Sequence, residues 1–262
     1  MRVFDFDSAI VREPGRSVVD GIRNDASAVP SYEGVRSEHR AYVAALRAAG
    51  LAVDVLPPLE AHPDSIFVED PALVLPEGAI VLRPGAPARL AEGAAIRAAL
   101  HRHFERVLEL EGDEHADGGD VLVTPDVIFI GMSKRTNRKG AQALRARLAE
   151  LGREARIVET PQSILHFKTA SSLLREDTVM ATKAMAESGI FSGYKVIVVP
   201  EGEEGAANFL RINDAVFVGE RFPATIALLG REGFDTIGLP TTEIGKLDAG
   251  LSCMSLRWRK PG

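Results

Sequence analysis

Gly119-Asp-Val-Leu-Val-Thr-Pro-Asp-Val-Ile-Phe-Ile-Gly131 is two short apolar runs around a Thr-Pro-Asp turn. That pattern predicts a β-hairpin, because Pro and Asp favour the turn while Val, Ile and Phe favour the flanking strands. Downstream, Ala141, Leu144 and Leu148 recur at helical spacing and predict a helix over 138–151. Arg156-Ile-Val158 then reads as a third strand. The unit is hairpin, helix, strand.

The same unit recurs. Pro71–Arg83, Thr169–Ala181 and Ala207–Gly219 each carry two apolar runs around a polar turn. Helices are predicted near 90–103, 182–190 and 222–232, followed by strands at Val107–Leu110, Val196–Val199 and Thr236–Leu239. At the C-terminus, Ser252-Cys-Met-Ser-Leu-Arg-Trp258 supplies one strand and the chain stops. A strand near Phe4–Val11, a helix at 36–49 and a strand at Leu51–Leu56 supply what that last unit lacks. The expectation is one α/β domain over residues 1–262, with five pseudosymmetric units in a ring closed by the N-terminal strand. An open α/β sandwich is the alternative.

Composition narrows the function classes. Of 262 residues, 31 are Lys or Arg and 37 are Asp or Glu, a net charge of −6 that argues against a nucleic-acid partner. No run approaches the length of a membrane helix, and acids Asp5 and Asp7 stand where a signal peptide would be apolar. The expectation is a soluble, cytoplasmic protein. The only cysteine, Cys253, excludes an internal disulfide and a multi-cysteine zinc site. It is either an inert core thiol or a nucleophile.

A ring would bring equivalent positions together. Those just before or inside the first strand of each unit are Glu69 and Asp70, Asp117 and Asp120, His166, Asn208 and Cys253. Cys253 reads as part of an apolar strand, Leu251–Leu256. A thiol and an imidazole are the minimum for covalent catalysis, and such partners need be adjacent only in the fold. A carboxylate pair matches the planar fork of a guanidinium. The acids have plainer readings as turn residues, or as a calcium loop of Asp113, Glu114, Asp117 and Asp120, whose spacing fits no EF-hand. His101 and His103 lie two apart and share no helix face. The basic runs Lys134–Lys139 and Arg257–Lys260 read as solvated surface.

Pro63-Asp-Ser-Ile-Phe-Val-Glu-Asp-Pro71, Asp117-Gly-Gly-Asp120, Gly131-Met-Ser-Lys-Arg-Thr-Asn137, Leu165-His-Phe-Lys168, Ala206-Ala-Asn208 and Lys246–Leu256 occur in that order. This ordered set resembles the dimethylarginine dimethylaminohydrolases of the guanidine-modifying superfamily, over about residues 11–258. The resemblance implies a five-unit α/β propeller (pentein) and an enzyme without metal or cofactor, working as a monomer or homodimer on a methylated arginine. It implies Cys253 as nucleophile, His166 as general acid and base, and Asp70 and Asp117 as the guanidinium clamp. Asp64 matches the partner of the substrate amino group, and Arg89 and Arg135 match the pair for its carboxylate. Glu69 falls beside the clamp, and Arg16–Ile22 resembles an N-terminal lid. Asn208 and Asp248 are near-site candidates without a role.

The implied reaction is attack of Cys253 on the guanidinium carbon, loss of an alkylamine, and hydrolysis of a thiouronium intermediate to citrulline. Arginine deiminase-like hydrolysis of unmethylated arginine is the nearest alternative, although such relatives are longer chains. A non-catalytic arginine-binding protein of the same fold, and a thiol hydrolase acting on amides, are the others.

Overall fold

The computed structural model describes residues 3–260, in which fifteen strands form five three-stranded sheets. The expected domain of 1–262 therefore ends, at Met1, Arg2, Pro261 and Gly262, outside the described residues. The chain divides into two compact units, Glu69–Asn208, and Phe4–Val68 with Phe209–Lys260.

In the first unit, β3 (Ala72–Leu75), β4 (Gly78–Val81) and β5 (Val107–Glu109) form one sheet. β6 (Val121–Val123), β7 (Ile128–Met132) and β8 (Ala155–Glu159) form the next, and β9 (Ser171–Arg175), β10 (Thr178–Ala181) and β11 (Lys195–Val198) the third. In each, the first two strands are an antiparallel hairpin and the third joins the second in parallel, after a helix. Those helices are α2 (Glu92–His103), α3 (Arg138–Glu150) and α4 (Lys183–Glu187). A parallel third strand requires such a crossover, because a tight turn would return the chain antiparallel. Asn137 and Thr182 start α3 and α4 by accepting the N–H groups of Gly140 and Met185. Ala141, Leu144 and Leu148 pack the inner face of α3 onto Ile128, Ile130 and Val121.

The second unit holds the other two sheets. β12 (Leu210–Ile212), β13 (Ala215–Gly219), α5 (Pro223–Arg231) and β14 (Asp235–Leu239) repeat the pattern. So do β15 (Leu256–Trp258), β1 (Ser8–Arg12), α1 (Tyr32–Ala48) and β2 (Ala52–Leu56), with β1 antiparallel to β15 and parallel to β2. The N-terminal strand thus completes the fifth sheet, starting at Ser8 rather than near Phe4. Asn213, in the left-handed region at φ 54°, turns the β12–β13 hairpin. Its amide accepts from Phe6 N–H and donates to Ala49 O, which ties that turn to the fifth sheet. A short helix α6 (Thr242–Gly245) follows β14, its amides held by Glu38 of α1. Ala9, Val11, Val35, Tyr42, Leu46, Phe217 and Met254 fill the core of this unit.

Candidate active site

The chemistry-bearing residues precede the first strand of each sheet. Asp70 lies in a turn before β3, Asp117 before the 3-10 turn Gly118–Asp120, and His166 before the 3-10 turn Phe167–Thr169. Asn208 follows the 3-10 turn Glu204–Ala207. Cys253 is inside the 3-10 turn Leu251–Met254, not in a strand; β15 begins three residues later, at Leu256.

In the first unit these turns bring Asp70, Asp117 and His166 together, one ligand atom of each within 4.8 Å of the others. His166 Nε2 lies 3.0 Å from Asp117 Oδ2. The other Asp117 oxygen accepts the N–H of Gly85 at 2.7 Å. A Cβ on Gly85 would sit 2.2 Å from the carbonyl oxygen of Arg135, so only glycine lets this loop reach the carboxylate. Burial by itself would favour neutral imidazole. The hydrogen bond to Asp117 and the charges of Asp70, Asp120 and Asp117 outweigh it and raise the His166 pKa to about 9.

Asp120 is only three residues from Asp117 and plays a different part. It accepts from Ser133 Oγ and Thr136 Oγ1, each at 2.6 Å, and from Phe167 N–H at 2.9 Å. It therefore pins the turn bearing His166 to the β7–α3 loop. Burial lifts its pKa to about 6 against the pull of His166 and these donors.

Arg89 is buried and pairs with two acids. Its Nε and Nη2 face Glu92 at 2.7–3.1 Å, and its Nη1 donates to Asp70 Oδ2. Asp70 also accepts Gly119 N–H at 3.3 Å. Burial alone would raise the Asp70 pKa, but Arg89, His166 and Lys168 together hold it below the ordinary carboxylate value. Glu69 is paired with Lys168 Nζ at 2.6 Å. Arg135 is half-buried beside the Gly85 loop.

Two carboxylates and an imidazole in this space suit a planar cation, and the same donors would also hold a metal ion. The acids that suggested a calcium loop do not form one set. Asp113 pairs with Lys139, Glu114 accepts Glu111 N–H, and Asp120 is taken by its three donors.

In the second unit, Cys253 is 7% exposed within the apolar core that includes Leu251 and Met254. Its turn is fastened by Arg257, whose Nη1 donates to Ser252 O at 2.9 Å and Ser255 Oγ at 2.7 Å, and by a 2.5 Å hydrogen bond between Tyr42 and Ser255 hydroxyls. Arg257 is thus structural here rather than part of a solvated tail. Asp64 accepts the N–H of Ile22 at 3.0 Å, and Asp248 accepts that of Asn24 at 2.7 Å. Glu60 accepts from Arg16 and Ser17, so Glu60 and Asp64 hold the segment that resembles a lid by its backbone, and Asp248 holds the chain just beyond it. Glu92, Arg257 and the donors to Asp120 were not singled out from sequence. The spacing of Arg89 and Glu92, three residues apart, is the one sequence signal that could have found any of them.

Comparisons with known proteins place the chain in a family. The arginine deiminase family model matches residues 55–201. The N(G),N(G)-dimethylarginine dimethylaminohydrolase of Pseudomonas aeruginosa is 35% identical over 97% of this chain and 100% of its own length. That of Streptomyces coelicolor is 34% identical over 96% and 97%. A solved structure of a cysteine-to-serine mutant of the Pseudomonas aeruginosa protein, complexed with citrulline, superposes with a TM-score of 0.94 at 34% identity, covering 97% of this chain and 100% of that one.

Proposed function

This chain belongs to the arginine deiminase family and, within it, to the dimethylarginine dimethylaminohydrolases, and from that premise we propose that it hydrolyses Nω-methylated arginines to citrulline and an alkylamine. The observation that carries the reading is the buried set of Asp70, Asp117 and His166. Two carboxylates orient a guanidinium, and orientation is worth up to about 7–11 kcal/mol of a barrier in well-placed systems. With a pKa of about 9, His166 is protonated at neutral pH and carries the proton that a departing amine needs.

Cys253 is assigned as nucleophile by resemblance and by its equivalent place before the first strand of its sheet. Its thiolate forms a bond to the guanidinium carbon, and the C–N bond to the methylated nitrogen breaks as His166 protonates that nitrogen. The thiouronium then takes up water, His166 receives a proton from it, the C–S bond breaks and citrulline leaves. Asp64 and Ile22 are assigned to the substrate amino end, Arg89 and Arg135 to its carboxylate, and Glu69 to support of Asp70. No metal or cofactor takes part in this scheme, which works in a cytoplasmic monomer or homodimer.

The test is citrulline release from asymmetric dimethylarginine, monomethylarginine and arginine, with Cys253→Ala as the blank. Release from the methylated substrates, absent in the variant, is expected. Release from arginine alone would replace the proposal with a deiminase, and wild-type turnover by Cys253→Ala would remove the cysteine mechanism.

A further inference from the structure

Asp117 and His166 meet at 3.0 Å, and the chain behind them is bonded a second time. Asp117 donates its N–H to Thr136 Oγ1 at 3.1 Å. Thr136 Oγ1 donates in turn to Asp120 Oδ2 at 2.6 Å, and Asp120 Oδ1 accepts the N–H of Phe167, next to His166, at 2.9 Å. These bonds close a ring. It runs from the Asp117 backbone through Thr136 and Asp120 to the His166 turn, and back through the imidazole to the Asp117 carboxylate. Asp117, Thr136, Asp120 and Phe167 are each at most 1% exposed, so water does not compete for the bonds between them. The rest of the turn is held as firmly. Thr169 Oγ1 accepts His166 N–H and donates to His166 O, and Ser171 Oγ donates to Phe167 O. The Phe167 ring stacks on Phe129 with centroids 6.2 Å apart. Every backbone polar group of His166 and Phe167 thus has a partner, and the route from them to the Asp117 backbone runs through Asp120 and Thr136.

We propose that Asp120 and Thr136 are positioning residues of the reaction: neither is among the groups assigned to the substrate, and together they fix the His166 imidazole against Asp117 and so set the place from which it transfers its proton. The inference rests on the proposed hydrolysis of methylated arginines. A general acid works only within hydrogen-bond reach of the atom it protonates, and a misplacement of about 1 Å can cost about 10²-fold in rate. The Thr136 hydroxyl matters twice, as acceptor for Asp117 N–H and as donor to Asp120. Without it the ring opens at both bonds, and Asp120 loses one of its three donors. Gly85 still donates to the other Asp117 oxygen, so the clamp acid keeps its place for binding and the loss falls on turnover.

Steady-state citrulline release from dimethylarginine by the full chain tests this. Thr136→Val has almost the shape of threonine and no hydroxyl. It is expected to lower kcat by about tenfold or more, with KM within about threefold of the wild type. Thr136→Ser keeps the hydroxyl and is expected to stay within about threefold of the wild type in both constants. The charges around His166, from Asp70, Asp117 and Asp120 to Lys168 beside Asp70, are the same in both variants. A loss confined to Thr136→Val therefore traces to the hydrogen bonds and not to the field. If Thr136→Val does not fold, Thr136→Ala carries the test against Thr136→Ser, from which it differs by the hydroxyl alone. Wild-type kcat in the variants without the hydroxyl would overturn the proposal. So would an equal loss in Thr136→Ser, which would trace it to packing, or a loss that appears only in KM, which would trace it to substrate binding. Failure of the underlying hydrolysis would show separately, as absence of citrulline release by the wild-type protein.

Discussion

His39 and His166 are both buried, 3% and 7% exposed, and they sit at opposite ends of histidine chemistry. His39 lies on α1 in the second unit, and its Nε2 has no hydrogen-bond partner among the described residues. Burial alone acts on it and lowers its pKa to about 4. His166 is pulled the same way by burial, yet Asp117, Asp70 and Asp120 carry it to about 9. At pH 7 the first is neutral packing and the second is a stored proton. Burial therefore does not identify a working histidine; the anions beside it do.

The contrast breaks most visibly in turnover. His166→Gln is expected to lower kcat for dimethylarginine by about 10²–10⁴-fold, the usual worth of a general acid and base. His39→Leu, of similar volume and without a polar atom to satisfy, is expected to leave kcat unchanged in the same citrulline assay. Comparable losses in the two variants would mean that His166 too is mainly packing. Asp117→Asn tests why they differ. It removes one anion from His166, so the imidazole pKa falls toward its ordinary value. The alkaline limb of the kcat/KM profile should move to lower pH, and kcat should fall by about 10²-fold as the clamp loses a charge. An unmoved limb, or an unmoved His166 resonance in an NMR titration, would detach the histidine from this carboxylate.

How far these roles were legible follows the range of the interactions behind them. The hairpin–helix–strand repeat was readable because its period is local, and Ala141, Leu144 and Leu148 do line the buried face of α3. The completion of the fifth sheet by the N-terminal strand was readable from what the last unit lacked. Cys253 reads as strand because Leu251–Leu256 is a short, mostly apolar run, and such a run does not distinguish a strand from a buried turn. Its turn is secured partly by Tyr42, 213 residues from Ser255, which no window on the sequence contains. Asp117 and Asp120 look interchangeable around their Gly-Gly pair. Only the fold gives one His166 and Gly85 and the other Ser133, Thr136 and Phe167. Beyond its spacing from Arg89, Glu92 carries no sequence signal of its role, which lies in its burial against that arginine.

The two histidines also leave opposite marks on stability, and this is the gentlest test of the comparison. The folded pKa of His39 is depressed, so below its unfolded value of about 6.5 the unfolded chain takes up a proton that the folded chain refuses. Its contribution makes stability fall as pH drops from about 6.5 toward 4. The folded pKa of His166 is raised, so its stabilisation is complete below about 6.5 and disappears as pH rises through about 9. Each limb has a slope of at most one proton, about 1.4 kcal/mol per pH unit. Asp120, lifted to about 6, acts against the acid limb, because its stabilisation is present below about 3.8 and is lost as pH rises through about 6, which leaves the alkaline limb as the cleaner one. Urea unfolding at intervals from pH 5 to 9 should trace the sum of these contributions, with the loss of stability on the alkaline side its clearest feature. His39→Leu should let stability rise toward pH 5 relative to the wild type, and Asp117→Asn should flatten the alkaline side. Should Asp117→Asn leave the alkaline slope intact, the proton lost there is not held by the Asp117–His166 pair, and the contrast between the two histidines would have to be traced to Asp70 and Asp120 instead.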